Sequence, residues 1–262
     1  MTQLKKRHPA LIVRDVIFAI FIRELKGRFG AFRLGIGWAI IDPVAFIFMM
    51  TVFRSITGSH SVQGIPFPVF FMLGYIPFNF FLKVQSQVTG AIRASQGLFG
   101  YRQVKPIDAI LARTLLECLI LLFVLALLFL VFLWVGVDVQ VDNPLLLIAS
   151  IFFLVTFGLG LGICFCILQS RFPESEKFID IAMRPLFFIS GVFFSLDEIP
   201  QQYRHYIDWN PIVHGTEMAR AACYDSFSSA GGSIEYLAFW AVFFLFLGLA
   251  LYRLEWKRIV AS

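Results

Sequence analysis

The stretch from Arg28 to Phe53, RFGAFRLGIGWAIIDPVAFIFMMTVF, decides how the rest of the chain is read. From Leu34 to Phe53 it is almost uncharged and supplies the roughly 20 residues an α-helix needs to cross about 30 Å of hydrocarbon. Arg23, Lys26, Arg28 and Arg33 crowd its N-terminal flank, and basic residues beside a first span hold that flank in the cytoplasm. Inside the span, Pro43 removes an amide donor and Asp42 places a carboxylate where contact with lipid is costly, so Asp42 is expected to face protein or water.

Composition supports the same reading. Of 262 residues, 59% are hydrophobic and 15% charged, with a mean hydropathy of +0.80, whereas soluble domains carry about a quarter charged residues. The class that fits is an all-α polytopic membrane protein. The net charge of +5 does not mark a nucleic-acid partner, because the basic residues flank apolar runs and form no polar basic face. Cys118, Cys164 and Cys166 lie inside apolar runs and only Cys223 lies in a polar stretch, so no disulfide framework is available. On a helix Cys164 and Cys166 would point about 200° apart, without a histidine at ligand spacing. No Gly-x-x-x-x-Gly-Lys-Ser/Thr cradle occurs, which excludes P-loop nucleotide binding; any ATP used must be held by a partner.

Residues 1–33 read as an N-terminal cytoplasmic segment in which Leu11 to Phe29 forms a helix lying in the interface, with Asp15, Arg23 and Lys26 clustered on one side. A cleavable signal is disfavoured, since Arg23 and Glu24 interrupt its apolar core. Residues 34–255 form the transmembrane domain, with spans expected near 34–53, 66–88, 110–135, 144–169, 178–196 and 233–252, and residues 256–262 form a cytoplasmic tail. Six spans put both termini on one side. The charges agree: of 22 Lys and Arg residues, only Arg54, Arg204 and Arg220 fall outside the cytoplasmic flanks and inner half.

Polar residues within these spans follow helical spacing. In the second, Asn79, Lys83, Ser86, Gln87 and Gly90 fall at i, i+4, i+7, i+8 and i+11, one face that must be wet or packed on protein. Asn79, Lys83 and Gln87 are therefore candidates to line a path, although a Lys83 that snorkels to the inner headgroups would fit equally. In the third span Arg113 and Glu117 are one turn apart and can pair with each other. Gly158-x-x-x-Gly162 in the fourth offers a face for close helix packing. The fifth has Asp180 and Arg184 at i, i+4, and Pro185 is expected to kink or break it. Residues 92–106 form the longest cytoplasmic stretch between spans and carry Leu98, Phe99 and Tyr101, more apolar surface than a solvated connector needs. The segment from Asp197 to Gly232, with Tyr203, Tyr206, Trp209, Asn210, Pro211, Glu217 and Arg220, suits helices lying at or dipping into the outer interface.

The order of these elements resembles the type-2 ABC exporter permeases, and most closely the membrane subunit of group 2 capsular polysaccharide exporters. The likeness rests on Arg33-Leu34-Gly35, Trp38 and Pro43 at the first span, on Trp209-Asn210-Pro211 with Glu217 and Arg220 near the last, and on nearly the whole chain between. The resemblance implies a homodimer docked on two copies of a separate ATPase subunit. ATP and Mg would be bound there, with no cofactor in this chain, and the polymer would pass between the two copies across a bacterial inner membrane. It also implies that Arg93, Leu98, Phe99, Tyr101, Arg102 and Lys105 couple to the ATPase, that the Tyr203 to Arg220 segment caps the pore as a pair of re-entrant helices, and that a periplasmic co-polymerase subunit docks nearby. Export of O-antigen or teichoic acid is the neighbouring alternative.

Two other classes bear on the same residues. An intramembrane enzyme could draw on Ser190, His205 or His214, but no nucleophile lies at helical spacing from a base within a span. An ion-coupled secondary transporter could relay ions through Asp42, Lys83, Asp180 and Arg184, though no inverted repeat is discernible.

Overall fold

The computed structural model describes residues 8–29, 37–56, 61–101, 103–229 and 231–261. Among them the chain is helical except for turns and one short antiparallel hairpin, β1 (Ser61–Val62) and β2 (Ile65–Pro66). The long helices are α1 (Pro9–Phe29), α2 (Gly37–Ile56), α3 (Phe67–Thr89), α5 (Pro106–Val135), α6 (Pro144–Arg171) and α10 (Ile234–Ala261). Shorter ones are α4 (Ala91–Ser95), α7 (Ser175–Ile189), α8 (Gln201–Arg204) and α9 (Pro211–Cys223). Helices α2, α3, α5, α6 and α10, the last over Ile234–Trp256, are each long and apolar enough to cross a membrane. The chain is a multi-pass membrane protein. The Arg33-Leu34-Gly35 motif and Arg102 lie outside the described residues.

Local chemistry sets several boundaries. Both α6 and α9 begin at Asn-Pro: Asn143 accepts the amide of Leu146 at 3.1 Å and Asn210 that of Ile212 at 3.0 Å, while the proline that follows has no donor to leave orphaned. α5 also has a proline in its first turn but is capped in the reverse sense, the Asp108 carboxylate inside the helix accepting the amide of Lys105 before it at 2.9 Å. It ends at Gly136, whose φ of 80° is the left-handed stop that glycine adopts without strain.

α3 is the axis of the molecule. Of its apolar stretch 78% is buried inside the chain, against 11% for α2 and 17% for α10. α6 lies along it through the small residues the sequence singled out. A Cβ at Gly158 would sit 2.6 Å from the Phe81 carbonyl, and one at Gly162 would sit 2.9 Å from that of Gln85. Gly160, between them, meets α10 just as closely, 2.4 Å from the Leu245 amide. These backbones touch because nothing projects between them.

Three expectations change. The helix in place of the span expected over 178–196 is α7, which has 15 residues, about 22 Å of helix, is not among the five long and apolar enough to cross, and gives way to a turn at Ser190-Gly191, where Gly191 has φ 67°. The turn is fixed from outside, because Ser190 receives Thr216 and Asn210 of α9. Helix α7 also runs through Pro185 without ending there. Arg113 and Glu117 do not pair with each other. α1 packs on α5 around Ile20, Ala109 and Ala112 and offers each an opposite charge: Glu24 meets Arg113 at 3.0 Å, and Arg28 meets Glu117. Arg23 reaches past them to the Ser95 hydroxyl of α4 at 3.0 Å. The charged side of α1 thus turns partly onto protein, where a buried carboxylate such as Glu117 requires a partner.

Candidate functional site

The stripe read from the sequence is exposed in part, on an otherwise enclosed helix. Lys83 and Ser86 are exposed and Gln87 half-buried, whereas Phe80, Phe81, Val84 and Val88 around them are fully enclosed. Two grooves meet along it. The first, of about 820 Å³, lies between α2, α3 and α7; the second, of about 720 Å³, lies between α1, α2, α3 and α5. Asp42, Tyr75, Asn79 and Lys83 line both, and Gln87 lines the second. Asn79 is largely covered and donates to the Tyr75 carbonyl at 2.8 Å. Tyr75 therefore extends the stripe one turn further, at i−4 from Asn79, a spacing from which it could have been read.

The first groove also gathers residues the sequence had left apart. Asp42 of α2 and Asp180 and Arg184 of α7 face the same space as Lys83. All four are exposed, and none has a hydrogen bond or ion pair among the described residues. Asp180 and Arg184, although at i, i+4, stay apart. Aromatic rings close the end of the groove nearest the cap: Phe46 packs on Tyr75 at 4.9 Å, Phe78 on Phe187 at 5.4 Å and Phe187 on Phe193 at 5.0 Å. At the opposite end Arg93 of α4 pairs with Glu176 of α7 at 2.7 Å.

The predicted cap residues divide into two groups. Tyr203, Tyr206 and Trp209 are exposed, and Trp209 donates to the Tyr206 carbonyl. Asn210, Pro211, Glu217 and Arg220 are buried, and Arg220 is 0% exposed. Its guanidinium donates to the carbonyls of Phe70 at 3.3 Å, Val192 at 3.1 Å and Phe194 at 3.1 Å, pairs with Glu217 at 3.1 Å, and lies 3.7 Å from the centre of the Phe70 ring. Ser195 donates to the other Glu217 oxygen at 3.2 Å. Burial pushes the Glu217 carboxyl above the ordinary carboxylate range, while Arg220 and Ser195 pull it back. Gly74 makes the arrangement possible, since a Cβ there would lie 2.3 Å from the Arg220 Nη2 atom. The clamp ties α9 and the 192–195 turn to the N-terminal end of α3. Its residue types were legible in the sequence, but its acceptors are backbone carbonyls, which leave no sequence signal.

His214 is consumed structurally as well. Its Nδ1 accepts the Ser233 amide at 3.1 Å, which leaves Nε2 to donate to the Asp208 carbonyl at 2.8 Å. Ser190 accepts from Asn210 at 3.1 Å, and among the described residues no histidine forms a hydrogen bond to it.

The proposed coupling loop is less exposed than its composition suggests. α4 and a 3₁₀ turn at Gln96–Leu98 fold back so that Phe99 packs in the chain's own core with Val88, Ile92, Ile110 and Ile163. Leu98 packs toward Ile20. A partner therefore cannot bury Phe99, because α5 and α6 already do. Arg93, Tyr101 and Lys105 remain exposed, with Tyr101 at 67%.

These helices and the polar groove beside α3 are those of a multi-pass membrane protein. The chain belongs to the ABC-2 type transporter family, whose model matches residues 15–224. It is 41% identical over 251 residues to the polysialic acid transport protein KpsM of Escherichia coli, covering 96% of this chain and 97% of that one. It is also 30% identical to the capsule polysaccharide export inner-membrane protein CtrC of Neisseria meningitidis, over 92% and 91% of the two chains. Identity to BexB of Haemophilus influenzae, another capsule polysaccharide export inner-membrane protein, is 27% over 91% and 90%.

Proposed function

We propose that this chain is the permease subunit of an ATP-driven exporter that moves a lipid-linked capsular polysaccharide across the bacterial inner membrane. Likeness to KpsM, CtrC and BexB over nearly full length supports the substrate class. ATP hydrolysis belongs to two copies of a partner ATPase that dock near Arg93, Tyr101 and Lys105. A second copy of this chain closes the open side of the first groove, between α2 and α7, whose exposed Phe48, Phe53, Phe178 and Ile181 suit a helix or lipid partner. A periplasmic co-polymerase docks by the Tyr203, Tyr206 and Trp209 face.

The observation that carries the reading is the polar stripe on α3, whose Lys83 and Ser86 are exposed where their surroundings are enclosed. A charge inside the membrane needs water or a partner, and a stripe of charge and amides facing a groove suits a hydrated sugar chain. Asn79→Trp and Gln87→Trp should each obstruct export while leaving the ATPase bound. If both export at the normal rate, the stripe is not the path. An ion-coupled transporter remains the competing use of Asp42, Lys83, Asp180 and Arg184; export that persists with a hydrolysis-dead ATPase would favour it.

In this reading α7 is a sixth crossing and both termini are cytoplasmic. Support comes from its contacts: Glu176 meets Arg93 beyond one end of α3, and Ile189 accepts from Asn210 in the cap at the other, at 3.2 Å. In a cysteine-free variant, Ser61→Cys and Ser228→Cys should react with an impermeant thiol reagent from outside, and Gln96→Cys should not. Gln96 is exposed, whereas the neighbouring Ser95 is fully buried and would be silent from either side.

A further inference from the structure

Where α1, α4 and α5 meet, a pocket of about 420 Å³ gathers Arg23 and Arg28 of α1 and Arg113 of α5. Two carboxylates answer the three arginines. Glu24 bridges Arg23 at 2.8 Å and Arg113 at 3.0 Å, and Glu117 pairs with Arg28. Among the described residues the cluster therefore holds one cation more than its carboxylates balance, and the Arg113 Nε is buried with no partner. A surplus cation with a buried spare donor is costly away from water unless an anion completes it. The pocket also takes in Gln87, in the last turn of α3, and Arg113 lies near the start of α5. The cluster thus sits at the ends of the spans, the level of lipid headgroups.

Apolar space continues inward from it. A groove of about 260 Å³ between α1, α2 and α5 is lined, among the described residues, by apolar side chains alone. Arg113, Leu116, Ile120 and Phe123 fall at i, i+3, i+7 and i+10, one face of α5. The groove therefore leads about 15 Å inward from the guanidinium. Leu119 and Phe123, both exposed, leave it open to the bilayer.

We propose that α1 and α5 hold an anionic phospholipid of the surrounding membrane, its phosphate among Arg23, Arg28 and Arg113 and one acyl chain along Leu116 to Phe123. The single charge of a phosphodiester balances the odd arginine. A zwitterionic lipid would restore the excess with its own ammonium group. The lipid terminus of an exported polymer offers the same phosphate and acyl chemistry, but neither this pocket nor the apolar groove shares a lining residue with the first groove.

The test is native mass spectrometry of the complete complex with its ATPase, released from vesicles of phosphatidylglycerol and phosphatidylcholine in equal amounts. Phosphatidylglycerol should be retained in preference to phosphatidylcholine. Arg23→Gln removes the odd cation and leaves Glu24 with Arg113, so retention should weaken roughly fivefold, while Arg23→Lys should retain the lipid. Leu119→Trp fills the groove from a position that is 48% exposed, and should expel the lipid with all three arginines in place. Should Arg23→Gln fail to assemble with the ATPase, Leu119→Trp decides the matter. Equal retention of the two lipids, or undiminished phosphatidylglycerol in the Leu119→Trp variant, overturns the proposal. Displacement by millimolar inorganic phosphate would reveal an anion site without a lipid and overturn it too. In complex taken from polymer-producing cells the retained species should carry no sugar; a sugar-bearing lipid would make the occupant the polymer's own terminus and the proposal wrong.

Discussion

The two ends of α3 treat charge in opposite ways. At the N-terminal end Arg220 is wholly enclosed, and its carboxylate and carbonyl partners are supplied by α9, α3 and the 192–195 turn. Along the stripe Lys83 is exposed and unpartnered, as are Asp42, Asp180 and Arg184 in the same groove. The enclosed charge is joinery: removing any part leaves the rest stranded in a low dielectric. The exposed charges have no partner in the fold to strand and contribute little to holding it.

The contrast breaks most readily at the clamp. Glu217→Ala leaves a buried guanidinium without its carboxylate, and breaking such a pair costs about 3–5 kcal/mol. The detergent-purified subunit should lose most of its yield and unfold at a markedly lower temperature, while Glu217→Gln, which keeps an acceptor, should lose less. A Glu217→Ala variant of normal thermal stability would make the clamp ornamental.

Next in size is Phe99 against Tyr101. Phe99→Ala empties a core site and should destabilise by about 3 kcal/mol or more, whereas Tyr101→Ala, on the surface, should stay within about 0.5 kcal/mol. The ATPase should nonetheless co-purify poorly with Tyr101→Asp. Equal stability losses at the two positions would refute the inward packing of Phe99.

Gly160→Ala tests the close approach of α6 and α10. Its new Cβ meets backbone, which cannot rotate away, and overpacking of this kind costs about 1–3 kcal/mol. Gly97→Ala, with nothing within 4 Å of the added carbon, serves as the control for thermal unfolding. The smallest effect on stability belongs to Lys83→Gln, expected within about 0.5 kcal/mol, with the ATPase still bound and polymer export altered. A large loss of stability there would place Lys83 with the clamp rather than with the path.

Periodicity and charge by themselves marked the apolar helices α2, α3, α5, α6 and α10, although α10 runs on to Ala261, past the 252 expected for the last span. They also brought Asn79, Lys83 and Gln87 to one face and marked Gly158 and Gly162 as a packing seam, because these properties repeat along one helix and are visible without knowing its neighbours. What the tertiary structure alone decided is where each helix turns its charged residues. Arg113 and Glu117 were placed to pair with each other and pair instead with α1; Phe99 was placed outside and lies inside; Arg220 was grouped with interfacial aromatics and forms the most enclosed ionic contact described. Asp42, Lys83, Asp180 and Arg184 share one groove although α2, α3 and α7 are far apart in sequence. The rotation of a helix about its axis is set by what packs against it, and the acceptors that hold Arg220 are backbone carbonyls common to every residue type, so neither leaves a mark that the sequence could carry.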